Sequence, residues 1–195
     1  MKENTFKVRA RLIEQLGEQL IKNESIALIE LIKNAYDADA STVNLIMKNI
    51  DNPETGQIII EDNGTGMDAD IIRNVWLEAG SDYKKKMIEI NQLTPTHKRR
   101  PLGEKGIGRF AVHKLGRKIE IISKKETGKE VYVLIDWDKF ENVRYIDEIG
   151  IEIIEREPEV FINQNGTRLI ISKLKNKWSP DEIKNIYRSI MSFNN

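Results

Sequence analysis

The chain has 195 residues, of which 39% are hydrophobic and 32% charged, a composition typical of one soluble domain with its own core. Lysine plus arginine and aspartate plus glutamate both number 31, so no overall charge attracts nucleic acid or an anionic membrane. The absence of cysteine excludes disulfides and thiolate metal sites, and a content of only two histidines argues against zinc.

The amino-terminal part of the sequence shows no targeting signal. Its first residues lack the apolar core of a signal peptide. The best apolar run, residues 26–32, contains Glu30 and is too short to cross a bilayer. We therefore expect a cytoplasmic location without membrane contact. Apolar residues recur at helical spacing over residues 9–21, and a second helix is predicted over residues 24–38.

The rest of the sequence alternates short strands and short helices. The predicted strands are residues 43–47, 57–61, 119–123, 131–135, 151–154 and 168–171. Short helices are predicted after Met67, over residues 110–115, and from Ser179, which would be the N-cap. The order of elements favours an α+β class, a two-layer α/β sandwich on a mostly antiparallel mixed sheet, over a βαβ repeat. Residues 80–101 form a long basic stretch, which is typical of a functional lid or a disordered segment.

A polar stripe runs along the second predicted helix. Glu30, Asn34 and Asp37 are spaced i, i+4 and i+7, so they share one side, opposite an apolar arc. A solvated helix face is the ordinary interpretation, but Asn and Asp are poor helix formers and seldom stand in mid-helix without a reason. An amide oxygen together with phosphate oxygens and waters suits Mg²⁺, and a nearby glutamate could take a proton from an attacking water.

The predicted strand that ends at Asp62 is followed by the motif Asn-Gly-Thr-Gly-Met. Asn-Gly is a strong hairpin signal, but the residues after Met67 look helical and supply no returning strand. Gly64 and Gly66 would let a flat ligand approach the backbone. Asp62 could then accept a hydrogen bond from an exocyclic amine.

A third motif, residues 103–113, is a glycine-rich turn that leads into a helix. Backbone N–H groups and the helix dipole make such a turn an anion site. It is neither a Walker A loop nor a dinucleotide fingerprint, and a flexible hinge before a capped helix is an equally good interpretation of this segment alone. Lys105 would either contact phosphate or belong to the exposed basic loop.

Together, these three motifs resemble the N, G1 and G2 boxes of the GHKL superfamily, which includes gyrase B subunits, MutL mismatch-repair proteins and large heat-shock chaperones. The segment Asn165-Gly166-Thr167 supplies a fourth matching block, and the resemblance covers residues 9–174. It implies that residues 1–195 form a single Bergerat ATP-binding fold, with residues 80–108 as a lid loop.

The resemblance also implies roles for individual residues. Glu30 would be the general base, Asn34 would hold Mg²⁺, and Asp62 would bind the adenine amino group of ATP or ADP. Asp37 matches the family's acidic position, and Thr167 would support the adenine end through water. The full set implied to bind nucleotide is Asn34, Asp37, Asp62, Gly64, Gly66, Met67, Gly103, Lys105, Gly106, Ile107, Gly108 and Thr167.

The function implied by this resemblance is Mg²⁺-dependent ATP binding and slow hydrolysis that closes the lid in a larger machine. The alternatives are a nucleotide-gated interaction module without hydrolysis and, disfavoured by Glu30, a histidine-kinase-type catalytic domain. ATPases of this branch carry a second domain that donates a lysine, so a downstream domain and ATP-dependent homodimerisation are expected. The sequence favours neither nucleic acid nor a client protein as a further partner.

Overall fold

One six-stranded sheet organises the molecule. The computed structural model describes residues 7–78, 87–102, 108–141 and 143–193. The strands are β1 Val43–Lys48, β2 Gln57–Asp62, β3 Gly116–Lys124, β4 Glu130–Asp136, β5 Ile153–Arg156 and β6 Gly166–Leu174. Their order is β1-β2-β6-β3-β4-β5, and every described pair is antiparallel. The predicted strands are confirmed, with small shifts at their ends.

The helices are α1 Arg11–Leu20, α2 Glu24–Asp37, α3 Ala69–Ile71, α4 Gly108–Leu115, α5 Asp138–Glu141 and α6 Pro180–Phe193. A π-helical turn, Ile72–Trp76, follows α3, and a 3₁₀ turn spans Ile146–Glu148. The predicted helices are confirmed, and α4 begins two residues before its predicted start. Within the described residues, no helix combines the length and apolarity needed to cross a bilayer.

Successive side chains along each strand point alternately to the core face and to the open face of the sheet. Buried isoleucines and valines of the central strands form one cluster with the inner faces of α2 and α4. On the open face, Arg168 pairs with Glu61 and the Tyr132 hydroxyl donates to Glu120. This is the expected α+β two-layer sandwich, with helices on one side of an antiparallel sheet.

Helix α2 lies at the centre of the helical layer. The Asn23 side chain caps its first turn by accepting from the Ile26 N–H at 2.9 Å. Its fully buried residues are Ala27, Leu28, Leu31 and Ala35. This face is narrower than the predicted apolar arc, because Ile29, Ile32 and Tyr36 are only half-buried. The helix ends where Asp39 adopts a left-handed backbone conformation with φ of 65°.

The remaining helix ends follow local capping rules. The Asp68 side chain accepts from the Ile71 N–H at 2.8 Å and so starts α3, as the sequence predicts. Ser179 and Glu182 form a reciprocal capping box at the start of α6. Helix α4 passes directly into β3 at Gly116, where an added Cβ would lie 2.6 Å from the Ser172 carbonyl oxygen.

Candidate functional site

The polar stripe of α2 is half-buried in the folded protein. Glu30, Asn34 and Asp37 all have intermediate exposure. The Glu30 carboxylate accepts from the Lys33 ammonium at 2.8 Å, and Asp37 Oδ1 accepts from the Leu102 N–H at 2.7 Å. The stripe is therefore a packed surface rather than a freely solvated helix face, and Lys33 belongs to it although the sequence did not single it out.

Asp62 stands at the end of β2, with Val43 of β1 and Thr167 of β6 as its cross-strand neighbours. Burial raises the pKa of Asp62 to about 6, against hydrogen bonds from the backbone of Gly64 and Thr167 that favour the ionised form. A half-buried carboxyl group with a pKa this close to neutrality is typical of binding and catalytic sites.

Hydrogen bonds to side chains fix the conformation of the turn after Asp62. The Gly64 N–H donates to Asp62 Oδ1 at 2.8 Å, and the Asn165 amide donates to the Gly64 carbonyl at 2.6 Å. The Asn63 side chain accepts from the N–H groups of residues 41 and 42. The chain continues into α3, so the alternative interpretation of this motif as a hairpin is wrong.

Both glycines of the turn lie against backbone. An added Cβ would be 2.5 Å from the Ala38 carbonyl oxygen at Gly64 and 1.9 Å from the Lys124 carbonyl oxygen at Gly66. Gly66 also has a φ of 66°, which a side chain disfavours. The two glycines therefore let the turn fit between the end of α2 and the end of β3.

A buried hydroxyl pair joins this turn to β6. The Met67 N–H donates to Ser123 Oγ at 2.8 Å, and Ser123 Oγ lies 2.8 Å from Thr167 Oγ1. Ser123 is fully buried and Thr167 nearly so. The sequence did not predict a role for Ser123 or Asn165. Asn165 opens the fourth motif and could have been suspected, whereas Ser123 becomes visible only through the strand register.

Asp39 ties a distant segment to the end of α2. Its buried carboxylate accepts from Thr94 Oγ1 at 2.6 Å, from the Thr96 N–H at 2.6 Å and from the His97 N–H at 3.1 Å. Burial raises the pKa of Asp39, but these hydrogen bonds outweigh it and lower the pKa to about 2. We call this set of contacts the Asp39 clamp.

Further contacts extend the clamp along residues 94–102. The Arg99 guanidinium donates to the Ala40 carbonyl at 2.6 Å and lies over the Tyr36 ring at 4.5 Å. The Leu102 N–H reaches Asp37, as described above. Part of the predicted lid loop is thus anchored on α2, immediately before the glycine-rich motif. Of that motif, Gly103, Lys105, Gly106 and Ile107 lie outside the described residues, and Gly108 begins α4.

We expect Asp39→Asn to lower the free energy of unfolding by about 1.5–3 kcal/mol, because hydrogen bonds to a buried carboxylate contribute roughly this amount. Urea denaturation measures the change. Asp51→Asn, in the exposed turn between β1 and β2, is the matched control and should unfold like the parent. Equal midpoints for the two variants would mean that the clamp does not stabilise the fold.

Magnesium bound together with phosphates would need few oxygen ligands from the protein. Within the described residues, no group of three or more His, Asp or Glu side chains is placed to hold a metal ion. Magnesium commonly takes only one or two protein oxygens and fills its shell with waters and substrate phosphates. A single amide oxygen such as that of Asn34, beside the Glu30 carboxylate, meets this requirement.

Comparison with known proteins matches the sequence to one family. The family model described as "Histidine kinase-, DNA gyrase B-, and HSP90-like ATPase" matches residues 22–167, a range that includes α2, Asp62 and Thr167. A putative type II restriction enzyme, HgiDII, from Herpetosiphon aurantiacus is 24% identical over 84% of this chain and 25% of its own length.

Two chaperone proteins named HtpG are also similar. The one from Borreliella burgdorferi is 28% identical over 93% of this chain, and the one from Vesicomyosocius okutanii is 26% identical over 84%. Each match covers 30% of the relative's length. The chain therefore spans less than a third of the curated relatives that it matches.

Proposed function

Because the chain belongs to the histidine kinase-, DNA gyrase B- and HSP90-like ATPase family, we propose that it binds ATP with Mg²⁺ and hydrolyses it slowly. The observation that carries this proposal is the half-buried Asp62 carboxyl at the end of β2, with a pKa of about 6 and two closely packed glycines after it. This constellation suits a flat base with an exocyclic amine.

Each residue of the site then has a distinct task. Asp62 accepts from the adenine amine, and Gly64 and Gly66 shape the site by letting the turn pack against the ends of α2 and β3. Asn34 holds the magnesium ion, which neutralises phosphate charge when it is bound. Glu30, one turn earlier on the same helix side, takes a proton from the attacking water.

Calorimetry and a phosphate-release assay test the proposal directly. ADP and a non-hydrolysable ATP analogue should both bind, and the analogue should bind more tightly when Mg²⁺ is present. Phosphate release from ATP should be slow and should stop when the metal is chelated. Absence of ADP binding by the folded chain would contradict the assignment.

The Glu30–Lys33 ion pair favours a second candidate function, a nucleotide-gated interaction module without meaningful turnover. A base whose carboxylate is 2.8 Å from an ammonium group is less available to a water. If the pair suppresses hydrolysis, Lys33→Met should raise the rate of phosphate release while leaving ADP affinity unchanged. A rate that stays negligible in both proteins favours gating, and a lower rate in the variant means that Lys33 assists turnover.

The raised pKa of Asp62 predicts a pH dependence. The ionised carboxylate is the better acceptor for the adenine amine, so affinity should fall as protonation removes its charge. With a pKa of about 6 before binding, ADP should bind roughly tenfold more weakly at pH 5 than at pH 7.5. Calorimetry at the two pH values measures this. Asp62→Asn should show little change over the same range, which separates Asp62 from other titrating groups.

We further propose that residues 80–108 close over the triphosphate. Tryptic cleavage after Lys84, Lys85 or Lys86 should then slow when the ATP analogue is added, but not with ADP. Cleavage after Arg99 should be slow throughout, because its N–H donates to Thr94 Oγ1 within the Asp39 clamp. Asp39→Asn should speed cleavage at Arg99. Cleavage rates that are the same with and without the ATP analogue at every position would exclude lid closure.

The wider role is proposed from the relatives. Since the chain matches at most 30% of their length, we propose that ATP binding here drives a switch in a longer protein. A downstream second domain and ATP-dependent homodimerisation are parts of that proposal. Sedimentation of the full-length protein with and without the ATP analogue tests the dimerisation.

A further inference from the structure

A pocket of about 270 Å³ lies near the C-terminal end of α4, at the opposite end of that helix from Gly108. It is bounded by the start of α1, the start of β3, α5 and the chain after β6. Five cationic side chains line it: Arg9, Arg11, Arg117, Arg144 and Lys175. Glu141 is the one carboxylate among its described lining residues. We call it the basic pocket.

The positive charge of the basic pocket is only partly neutralised. Arg117 pairs with Asp138 at 3.0 Å and with Glu141 at 2.7 Å. In contrast, Arg9, Arg11 and Arg144 take part in no ion pair with any described residue. Like charges gathered at one place repel each other, and a bound anion would remove that repulsion.

One aromatic ring holds two of these arginines in place. The guanidinium groups of Arg9 and Arg144 lie over the Tyr145 ring, at 5.5 and 5.4 Å from its centroid. The Ala10 N–H also donates to the Arg144 carbonyl at 3.3 Å, which joins the two segments. The cations are therefore partly ordered before any ligand binds, which lowers the entropic cost of binding.

Two kinds of neutral donor add to the charge. Helix α1 begins beside Ala10 and Arg11 without a side-chain cap, and Ala10 is buried. The N–H groups of Ala10 and Leu12 already donate to the Arg144 and Arg9 carbonyls, but the positive dipole end of the helix still attracts anions. The Trp137 indole Nε1 is also buried and has no acceptor among the described residues. A buried donor without an acceptor is costly, so this N–H also calls for an acceptor.

We propose that the basic pocket binds the phosphate group of a small molecule. Arginine forks match phosphate oxygens, and the N-terminus of α1 and Trp137 lie at the wall of the pocket. Its volume is below the roughly 300–1,000 Å³ of pockets for drug-sized ligands, which indicates a small occupant. Trp137 packs against Phe140 at 4.7 Å and edge-on against His113 at 5.0 Å, giving an apolar wall for the organic part.

Nuclear magnetic resonance of the Trp137 indole N–H tests this proposal on the whole chain. The sequence has three tryptophans, so the indole signals can be assigned by Trp137→Phe. Glycerol 3-phosphate and inorganic phosphate should each shift the Trp137 signal in a saturable way. Tighter binding of the ester identifies a phosphomonoester as the ligand, and equal binding assigns the site to free phosphate.

Arginine variants and a competitor decide whether the shift comes from this pocket. Arg11→Ala and Arg144→Ala should each weaken binding roughly tenfold or more, as expected for a lost charge-assisted hydrogen bond. Arg188→Ala, on the exposed side of α6, is the control and should bind like the parent. If one pocket variant does not fold, the other provides the same comparison.

Excess ADP should leave the phosphate-induced shift in place, because the pocket is separate from the proposed nucleotide site. Loss of the shift with ADP, equal affinity in Arg11→Ala and Arg188→Ala, or no saturable shift with either small phosphate would each overturn the proposal. A shift produced only by a short DNA duplex would also overturn it.

Discussion

Glu30→Ala is expected to lower the rate of ATP hydrolysis by about 10²–10⁴-fold, the usual contribution of a general base. Binding of ADP should change little, since the proton transfer contributes to the transition state and not to the ground state. The substitution also removes the Glu30–Lys33 pair, whose partners are 28% and 29% exposed. Pairs of this exposure contribute about 0–1 kcal/mol, so the variant should fold.

Single-turnover phosphate release measures the chemical step, and calorimetry measures binding in the same preparation. Lys33→Ala is the matched control, because it breaks the same ion pair but leaves the proposed base in place. Parent-like hydrolysis in Glu30→Ala would show that Glu30 is not the base. A loss of hydrolysis shared equally by both variants would point to the ion pair instead of the carboxylate.

Asp62→Asn is expected to weaken ADP and ATP binding by about ten- to a hundredfold. The reason is the loss of a charged acceptor for the adenine amine, worth about 1.5–3 kcal/mol and more when the amine stays buried without a partner. Because Asp62 sits where β1 and β6 flank β2, the altered side chain has little freedom to move away. Titration calorimetry with ADP measures the effect.

Glu61→Gln is a close control for Asp62→Asn. Glu61 is the preceding residue of the same strand, and its pairing with Arg168 lies on the opposite, open face of the sheet. Its removal should leave ADP affinity within a few-fold of the parent. Unchanged ADP affinity in Asp62→Asn, with the protein folded, would remove Asp62 from the adenine site.

The elements that place this site were predictable because their signals are local. The spacing of apolar residues defines α2, and the dense isoleucines of β2 and β6 define central strands. The end of β2 at Asp62 follows from the two glycines after it. The order of these motifs then identified the family, which the match to residues 22–167 confirms.

The features that the sequence did not predict depend on contacts between distant parts of the chain. The contact of Ser123 with Thr167 and Met67 requires the register of β3 against β6, which no local pattern specifies. The Asp39 clamp spans 55 residues between Asp39 and Thr94. In the sequence, Asp39 looks like an ordinary residue at the end of a helix. Only the fold shows that its carboxylate binds another segment of the chain.

The position of Asp39 joins the end of a helix and a distant loop into one cooperative unit. Its left-handed backbone ends α2, and the same residue's side chain holds residues 94–97. Detaching the loop exposes a carboxylate that is 6% exposed in the folded state and removes the acceptor of two backbone N–H groups. In native-state hydrogen exchange, the amides of Thr96 and His97 should therefore open together with the last turn of α2 and not with loops that fray singly.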